Sequence, residues 1–465
     1  MKFGGTSVAN AETVLKTAEI IKQYHDAGDD LVVVVSAQRG VTDAIIKTAQ
    51  ELQNKHDTSG ISELIADLST RHLTALKGAA PSYFEEVRVV IERICENLAN
   101  FLQATYHLKE LTPRSFDYVK PFGERLNAPI VTACLREMGL ASVALDACEA
   151  GVLTIKSHGD AVALPAGDQR IRERLTPLIT GENPVIPVIT GFMGCTVDNV
   201  ITTLGRSGSD YTATIIGAAL EVDEIIIWTD VDGIMTTDPR IVPNARMIDE
   251  LSYIEVMELS YFGAKVMHSR SIDPAMQKSI PVLVKNTFHP DRPGTLISAG
   301  KHNDPRVVKA ITIIEGVAAV TVSGAHMIGR PGVSKFIFSA LAEANINVMM
   351  ISQGSSEANI TLIIDESQAM ATQACLLPLT QQCMVREISI DCDVCAVAVV
   401  GSGMNGAIGT AGRTFTALGN AGINLMMISQ GSSEVNISFV VRGDQGTQAV
   451  RVLHEEFGLA HAESD

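Results

Sequence analysis

The sequence predicts an α/β protein in which a domain with a mostly parallel sheet precedes two small α+β domains. The first observation is a strand, a glycine turn, a helix and a buried strand within residues 2–35, which is the order of a βαβ unit. The second is a series of short apolar strands separated by helical stretches up to about residue 297. The third is an internal repeat after residue 301, at an offset of 77 residues.

The first domain is expected over residues 1–297, with helices in layers against the sheet. Its opening strand, Lys2–Phe3, is short for a central parallel strand, as it would be if a few residues preceded it. A helix is predicted over Ala11–Tyr24, and helical apolar spacing over Thr42–Leu111 predicts a layer that covers the sheet. Further strands are expected at Leu31–Val35, Ser142–Leu145, Val185–Ile189 and Glu224–Trp228.

The repeat predicts two copies of one small domain, at residues 310–384 and 385–465. Residues 346–357 and 423–434 agree at all but one position. Each copy is expected to follow a βαββαβ order, as in ferredoxin-like domains. The second copy reaches Asp465 without an evident last strand. We therefore expect it either to borrow a strand, with Val385–Ile390 as the candidate, or to pair across a dimer.

Charge and composition exclude several classes of protein. The 36 Lys and Arg against 53 Asp and Glu give a net charge of −17, which would repel a nucleic-acid backbone. No stretch reaches the roughly 18 apolar residues of a spanning helix, and the opening residues lack a signal-peptide pattern. The 8 scattered cysteines predict reduced thiols, and Cys392 and Cys395 lack a partner pair at zinc spacing. We expect a cytoplasmic protein with no nucleic-acid partner, no membrane partner and no resident metal site.

A glycine-rich turn follows the first strand. In Lys2-Phe3-Gly4-Gly5-Thr6-Ser7, glycines between a strand and a helix allow backbone amides to approach phosphate oxygens, and Lys2 adds a positive charge. A tight strand-to-helix turn without a ligand explains the same residues equally well.

A second glycine-rich turn spans residues 203–211 and precedes a predicted helix, Thr212–Leu220. Arg206, two serines and Asp210 stand within five residues, which is more polar chemistry than a turn requires. The N-terminus of the helix favours anions. We expect a functional site here, with Asp210 either positioning Lys2 or holding Mg²⁺ indirectly.

Two later segments are weaker signals. Residues 228–240 follow the end of a buried strand, where α/β sheets bind ligands. Arg240 has no evident structural role in this segment, which favours a ligand contact. The Asp-Gly and Asp-Pro pairs, however, also indicate turns. His268 is expected to be structural. The G-x-G-x-x-G pattern from Gly401 to Gly406 follows an apolar strand, but its place in the repeat argues against a dinucleotide site.

Taken in order, several motifs make the chain resemble the aspartokinases. They are KFGGTS, VVVVSA, FGER, TTLGRSGSDYTA, WTDVDGIMTTDPR, MELSYFGAKVMH and the doubled INxMMISQGSSE. The resemblance implies an amino-acid-kinase domain followed by tandem ACT domains, in a monofunctional form without a homoserine dehydrogenase half. It also implies that ATP and Mg²⁺ phosphorylate the β-carboxylate of L-aspartate to 4-phospho-L-aspartate, the first step of lysine, threonine and methionine biosynthesis.

The resemblance also implies roles for individual residues. Lys2 and Asp210 would be catalytic, with Arg206 holding the substrate α-carboxylate and Glu124 its ammonium. The full substrate set would be Ser36, Thr42, Glu124, Arg206 and Ser209. The ATP set would be Lys2, Gly4, Gly5, Thr6, Ser7, Thr229, Asp230, Arg240 and Lys265. Met235 and Ser269 depart from the family pattern, which usually has Tyr and Pro at these positions.

Paired ACT domains imply feedback inhibition by an end-product amino acid and assembly into a homodimer or homotetramer. The doubled Ile-Ser-Gln resembles threonine-sensitive members more than lysine-sensitive ones. The expected effector residues are Asn347, Gln353, Asn424 and Gln430, with the loop Met327–Val333. Two alternatives stay open at this point: another amino-acid kinase, acting on glutamate, carbamate or acetylglutamate, and a non-catalytic amino-acid sensor.

Overall fold

The computed structural model describes residues 1–54, 58–263, 267–299, 306–354, 358–431 and 433–460. Lys265, one of the expected nucleotide residues, lies outside these ranges. The chain divides into two compact units. The first comprises Met1–Ile234, Asp249–Tyr253 and Val266–Lys301, and the second comprises Met235–Ile248, Ile254–Lys265 and His302–Asp465. None of the described helices combines the length and apolar character needed to cross a membrane.

The first unit is built on an eight-stranded sheet and a separate two-stranded hairpin. The strands are β1 (Lys2–Phe3), β2 (Val33–Val35), β3 (Ser142–Leu145), β4 (Ile186–Thr190), β5 (Met193–Cys195), β6 (Ile201–Thr203), β7 (Ile225–Thr229), β8 (Glu250–Ser252), β9 (Val282–Asn286) and β10 (Thr295–Ser298). The large sheet has the order β3-β4-β2-β1-β7-β9-β10-β8, and β5 pairs with β6. All neighbours in the large sheet are parallel except β9 and β10, so the prediction of a parallel-rich sheet is confirmed.

Helices cover this sheet. They are α1 (Ala11–Asp26), α2 (Val41–Asn54), α3 (Ser59–Ala79), α4 (Phe84–Leu108), α5 (Pro113–Val119), α6 (Phe122–Glu137), α7 (Gly167–Thr180), α8 (Gly208–Leu220) and α10 (Ser269–Lys278). The helix α9 (Tyr253–Tyr261) belongs to the second unit except for its first residue. Helices α3 and α6 pack on each other and on both α1 and α4, and α8 packs on α7 and α10. Asn10 caps α1 by accepting a hydrogen bond from the Thr13 amide at 3.0 Å. Phe3 and Trp228, from the neighbouring strands β1 and β7, stack in the core with ring centroids 5.9 Å apart.

The second unit contains a six-stranded antiparallel sheet. Its strands are β11 (Ala310–Ser323), β12 (Met350–Gln353), β13 (Asn359–Asp365), β14 (Glu387–Val400), β15 (Met427–Gln430) and β16 (Asn436–Arg442). They lie in the order β12-β13-β11-β14-β16-β15. The helices are α11 (Val333–Glu343), α12 (Ala369–Gln381), α13 (Thr410–Asn420) and α14 (Gly446–Glu456). The α+β repeat predicted from the sequence is therefore present.

The two copies exchange half-strands through β11 and β14, which are 14 residues each. Residues 317–323 pair with β13, whereas residues 310–314 pair with residues 396–400 of the second copy. Residues 387–391 of β14 pair in turn with the first copy. The second copy does borrow a strand, but the donor is 310–314, and the expected donor Val385–Ile390 was wrong. Residues 310–314 were not identified as a strand from the sequence.

The G-x-G-x-x-G pattern has a packing explanation. A Cβ at Gly401 would lie 2.4 Å from the Val307 carbonyl oxygen, so glycine permits close backbone contact there. Between these glycines, the Ser402 amide donates to Glu255 Oε1 of α9 at 2.6 Å. Glu255 Oε2 also lies 3.3 Å from Lys309 Nζ, and both side chains are buried. This loop therefore binds a carboxylate of its own chain.

Candidate functional site

The expected site residues of the first unit follow the carboxyl ends of neighbouring strands. Strands β4, β2, β1 and β7 are consecutive and parallel, so their carboxyl ends lie at one edge of the sheet. Ser36 follows β2, Gly4 follows β1 and Asp230 follows β7. Ligands in α/β folds bind at such an edge. The topology therefore places these three segments side by side.

Lys2 and Asp210 form an ion pair at this edge. Lys2 Nζ lies 2.7 Å from Asp210 Oδ1, and the two side chains are only 11% and 7% exposed. Asp210 stands in the first turn of α8. This helix begins directly after Ser207, whose φ of +53° is left-handed. Non-glycine residues in this region cost energy and cluster at functional sites. The turn thus holds the carboxylate that orients the Lys2 ammonium.

The two glycines after β1 have different roles. The Gly4 amide donates to the Trp228 carbonyl at 3.0 Å. That amide has no proton left for a phosphate, so the expectation was wrong for it. A Cβ at Gly5 would lie 2.6 Å from the Ala37 carbonyl oxygen. Glycine is needed there because the loop after β2 packs directly on the turn.

Ser7 supports the turn from inside the protein. Its side chain is fully buried, and its hydroxyl shares a 2.7 Å hydrogen bond with Thr287 Oγ1. Its carbonyl accepts from Thr17 Oγ1 at 2.8 Å. Ser7 was expected in the ATP set, but its hydroxyl is used within the fold, whereas the neighbouring Thr6 is partly exposed.

Glu124, in the first turn of α6, is a buried carboxylate with free hydrogen-bonding capacity. It is 3% exposed, and its Oε2 has no hydrogen-bond partner in the described part of the chain. Burial raises the pKa of Glu124 to about 7, although backbone hydrogen bonds from Glu124 itself and Ala37, and the charges of Lys2 and Arg125, act to lower that pKa. An unsatisfied buried carboxylate oxygen suits an ammonium ligand.

The loop after β2 and the first turn of α2 carry two further expected residues, Ser36 and Thr42, and one that the sequence did not indicate. Ser36 and Thr42 are partly exposed, and the Ser36 carbonyl accepts from Asn127 Nδ2 at 2.8 Å. Gln38, between them, is 1% exposed, and neither of its side-chain polar atoms has a partner among the described residues. No motif pointed to Gln38. Buried amide atoms without partners require an explanation, such as a ligand or water.

A cavity of about 300 Å³ lies beside the second glycine turn. Its lining residues are Gly159, Asp160, Gly205, Arg206, His268 and Arg270. His268 caps α10 by accepting from the Arg270 amide at 3.3 Å, which agrees with the structural role expected for it. It also shares the cavity with Arg206, and its pKa is lowered by burial and by the charges of Arg270 and Arg206. Sequence reasoning did not anticipate that Asp160, His268 and Arg270 meet Arg206.

Ser209, the remaining expected substrate residue, is 8% exposed. A Cβ at Gly191 would lie 2.5 Å from Ser209 Oγ, so the Ser209 side chain packs directly on the segment that follows β4. This contact fixes the first turn of α8 relative to the carboxyl end of β4.

A buried carboxylate, Asp117, supports the cavity wall. It is fully buried and accepts hydrogen bonds from the Gly159 amide at 3.0 Å, His158 Nδ1 at 2.8 Å and Thr203 Oγ1 at 2.5 Å. These bonds connect the loop at 158–160 with the end of β6, where the second glycine turn begins. Asp117 lies in no recognisable motif, so its role became visible only in the structure.

The segment after β7 is held by a polar cluster. Thr229 Oγ1 donates to Asp230 Oδ1 at 3.3 Å. Asp232 accepts from Asn286 Nδ2 at 2.7 Å, forms an ion pair with Arg292 and lies 3.2 Å from His289 Nδ1. Asp230 is exposed, whereas Asp232 is partly buried by this cluster. Asp232 therefore shapes the loop and leaves Asp230 open to solvent.

Arg240, in the second unit, has a local partner. Its Nη2 lies 2.5 Å from Asp238 Oδ2, and its side chain is 85% exposed. Its amide also donates to Asp238 Oδ1 at 2.8 Å. The expectation that Arg240 has no structural role was therefore wrong, because it closes the turn that contains Pro239.

The second unit contains a cavity of about 350 Å³ in the first repeat copy. It is lined by Met327, residues 329–334, Gln353 and Ile360. The structure thus brings together Gln353 and the loop Met327–Val333. Asn347, Asn424 and Gln430 are exposed, and none of them lines this cavity. Arg330 supplies a positive charge, and no carboxylate belongs to the described lining.

No group of three or more His, Cys, Asp or Glu side chains converges to hold a metal ion within the ranges that the structure describes.

Family models match both units. The amino acid kinase family matches residues 1–286, and an ACT domain matches residues 320–376 and 397–457. Aspartokinase 3, chloroplastic, of Arabidopsis thaliana is 34% identical over 98% of this chain and 81% of its own length. Bifunctional aspartokinase/homoserine dehydrogenase 1, chloroplastic, of the same plant is 33% identical over 99% of this chain. The chain spans about half (51%) of that bifunctional relative.

Solved structures give the same result. E. coli aspartokinase III in complex with aspartate and ADP superposes with a TM-score of 0.82 at 28% identity, covering 98% of both chains. The same E. coli protein in complex with lysine and aspartate gives a TM-score of 0.79 at 29% identity, again over 98% of both chains.

Proposed function

The chain belongs to the aspartokinases of the amino acid kinase family, and we propose that it transfers the γ-phosphoryl group of ATP to the β-carboxylate of L-aspartate. The product is 4-phospho-L-aspartate, and the reaction is the first step of lysine, threonine and methionine biosynthesis. The observation that carries the proposal is the buried Lys2–Asp210 pair at the carboxyl edge of the sheet. The aspartate and ADP complex of E. coli aspartokinase III supports the same assignment.

The site suits a carboxylate nucleophile. Because the attacking oxygen is already anionic, the reaction needs alignment and charge neutralisation rather than a strong base. Lys2 would neutralise charge on the transferred phosphoryl group, and Asp210 would orient the ammonium. Arg206 would bind the α-carboxylate, and the unpaired Glu124 Oε2 would accept from the α-ammonium. Ser36, Thr42 and Ser209 complete the proposed substrate set.

ATP and Mg²⁺ are the proposed cofactors. Lys2, Gly5, Thr6, Thr229, Asp230, Arg240 and Lys265 remain the proposed nucleotide residues. Enzymes commonly hold Mg²⁺ through substrate phosphates with one or two carboxylates rather than in an all-protein cage. When bound with ATP, Mg²⁺ would supply further neutralisation of phosphate charge.

We further propose feedback inhibition by threonine rather than lysine, acting through ACT domains that assemble a homodimer or homotetramer. The ACT-domain match supports regulation by a small ligand. Lysine occurs in a complex of E. coli aspartokinase III, but the described lining of the cavity beside Gln353 has no carboxylate to pair with a lysine ammonium. Burying an unpaired charge is costly, so this lining favours an effector with a neutral side chain.

A substrate panel tests the proposal. ADP formation is measured with ATP, Mg²⁺ and one acceptor at a time: L-aspartate, L-glutamate, N-acetyl-L-glutamate or carbamate. We expect turnover with L-aspartate that threonine suppresses and lysine does not. Turnover with another acceptor alone would replace the proposed substrate. Inhibition by lysine alone would overturn the proposed effector and leave the kinase assignment in place.

A further inference from the structure

Two side chains beside Arg206 form a double hydrogen-bonded ion pair. Both Nη atoms of Arg270 donate to the carboxylate of Asp160, with Nη2 at 2.9 Å from Oδ2. Asp160 belongs to the loop before α7, whereas Arg270 belongs to the first turn of α10. Bidentate pairs fix the relative orientation of the groups that they join. This pair therefore links two elements that both line the cavity of Arg206.

The Asp160 carboxylate also packs against the turn that contains Arg206. A Cβ at Gly205 would lie 2.4 Å from Asp160 Oδ1, and the φ of Gly205 is +75°. Both the contact and the backbone conformation therefore require glycine. Behind Asp160, the buried Asp117 holds the Gly159 amide at 3.0 Å. The hydrogen bond to Asp117 thus fixes the backbone next to Asp160.

Helix α10 holds the same turn from a second direction. Ser271 Oγ donates to the Ser207 carbonyl at 3.2 Å, and α10 packs along α8. Arg206 lies between these two supports and has no ion-pair partner in the described ranges of the chain. Arg206 is exposed and lines the cavity, so its guanidinium is available to an anion.

We propose that Asp160 and Arg270 are positioning residues that set Arg206 for the α-carboxylate of the substrate. The inference rests on the proposed function, because it takes L-aspartate as the ligand of Arg206. Misplacing a binding group by about 1 Å can cost up to about 100-fold in rate. Loss of the ion pair should weaken binding of L-aspartate and leave binding of ATP unchanged.

The test uses Asp160→Asn, Arg270→Ala and the double variant of the full chain. Each single variant is expected to raise KM for L-aspartate about tenfold, with kcat within about twofold of wild type and KM for ATP unchanged. Because both residues act through one contact, the double variant should be no worse than either single variant. Arg270→Lys keeps the positive charge but cannot form the double hydrogen bond of a guanidinium, so its KM for L-aspartate should be intermediate.

Asp273→Asn is the matched control. Asp273 lies one turn further along α10, accepts from Gln277 at 2.7 Å and does not line the cavity. It removes the same charge and should leave KM for aspartate unchanged. The thermal midpoint of each variant shows whether it is folded. If Asp160→Asn or Arg270→Ala is unfolded, the KM for L-aspartate of Arg270→Lys tests the inference instead.

The inference is overturned if Asp160→Asn matches the control, if KM for ATP rises in parallel, or if the single effects add in the double variant. Wild-type protein without aspartate-dependent ADP formation would instead overturn the proposed function. The two failures are therefore distinguishable.

Discussion

The ammonium of Lys2 and the carboxylate of Asp210 lie 2.7 Å apart, although the first belongs to β1 and the second to α8. Both side chains are largely buried. Charge interactions are stronger in the protein interior than at the surface. The pair therefore fixes a positive charge at the edge of the sheet, next to the glycine turn.

Replacing Lys2 with alanine should lower kcat at least about 100-fold, because the charge that faces the transferred phosphoryl group is lost. Steady-state kinetics measure the effect, and the thermal midpoint reports whether the fold is kept. Lys22→Ala removes an exposed lysine paired with Asp26 at 3.0 Å and should leave kcat unchanged. A Lys2→Ala protein that keeps a substantial fraction of kcat would contradict the assignment.

The raised pKa of Glu124 predicts a pH dependence of substrate binding. Below about pH 7 the buried carboxyl is protonated, and above it the carboxylate can bind an ammonium. KM for L-aspartate should therefore fall as pH rises through about 7. Glu124→Gln should raise KM and remove this dependence, as measured by KM across pH 6–8. A Glu124→Gln profile parallel to that of wild type would exclude Glu124 as the titrating group.

Gln353 should determine sensitivity to the effector. Gln353→Ala should leave kcat unchanged and weaken inhibition by threonine severalfold, because the amide lines the first-copy cavity. Inhibition curves measure the change. Gln368→Ala, at the start of α12, is the control and should behave as wild type. Unchanged inhibition of Gln353→Ala would remove this residue from the site, and Gln430→Ala tests the second copy in the same way.

His72 predicts a loss of stability in acid. It is fully buried in α3, its Nδ1 bonds the Leu68 carbonyl at 2.7 Å, and burial lowers its pKa to about 4. Between about pH 6.5 and 4 the unfolded chain binds a proton that the native protein does not, so stability falls as pH falls through this range. The shift corresponds to about 3 kcal/mol.

Denaturant unfolding at pH 7 and pH 4.5 measures this effect, with His72→Gln as the variant that cannot titrate. His72→Gln should lose less stability between the two pH values than wild type. His25→Gln, on the exposed end of α1, is the control and should retain the wild-type dependence. Equal losses in wild type and His72→Gln would assign the acid sensitivity to other groups.

Periodicity predicted most of the elements. The expected strand Ser142–Leu145 agrees with β3, and the expected helix Ala11–Tyr24 lies within α1. A borrowed strand in the second copy was expected, but the donor 310–314 was not identified, because strand pairing between repeat copies leaves no local pattern. A repeat reveals that two units are alike, but it does not reveal which half-strand completes each one.

The site was predictable where chemistry is concentrated in a short segment, as for Lys2 and Asp210. It was not predictable where the partners come from distant loops, as for Asp160 and Arg270, since a single Asp or Arg in a loop carries no signal. The sequence also does not show which groups the fold itself uses, as for the Gly4 amide and the Ser7 hydroxyl.

The most direct test of the central claim is to trap the product. Purified protein is incubated with ATP, Mg²⁺, L-aspartate and hydroxylamine, which converts an acyl phosphate into a hydroxamate. We predict hydroxamate that depends on both ATP and aspartate and is lost in Lys2→Ala. ATP consumption without hydroxamate, or a folded protein that forms none, would contradict phosphoryl transfer to the aspartate carboxylate.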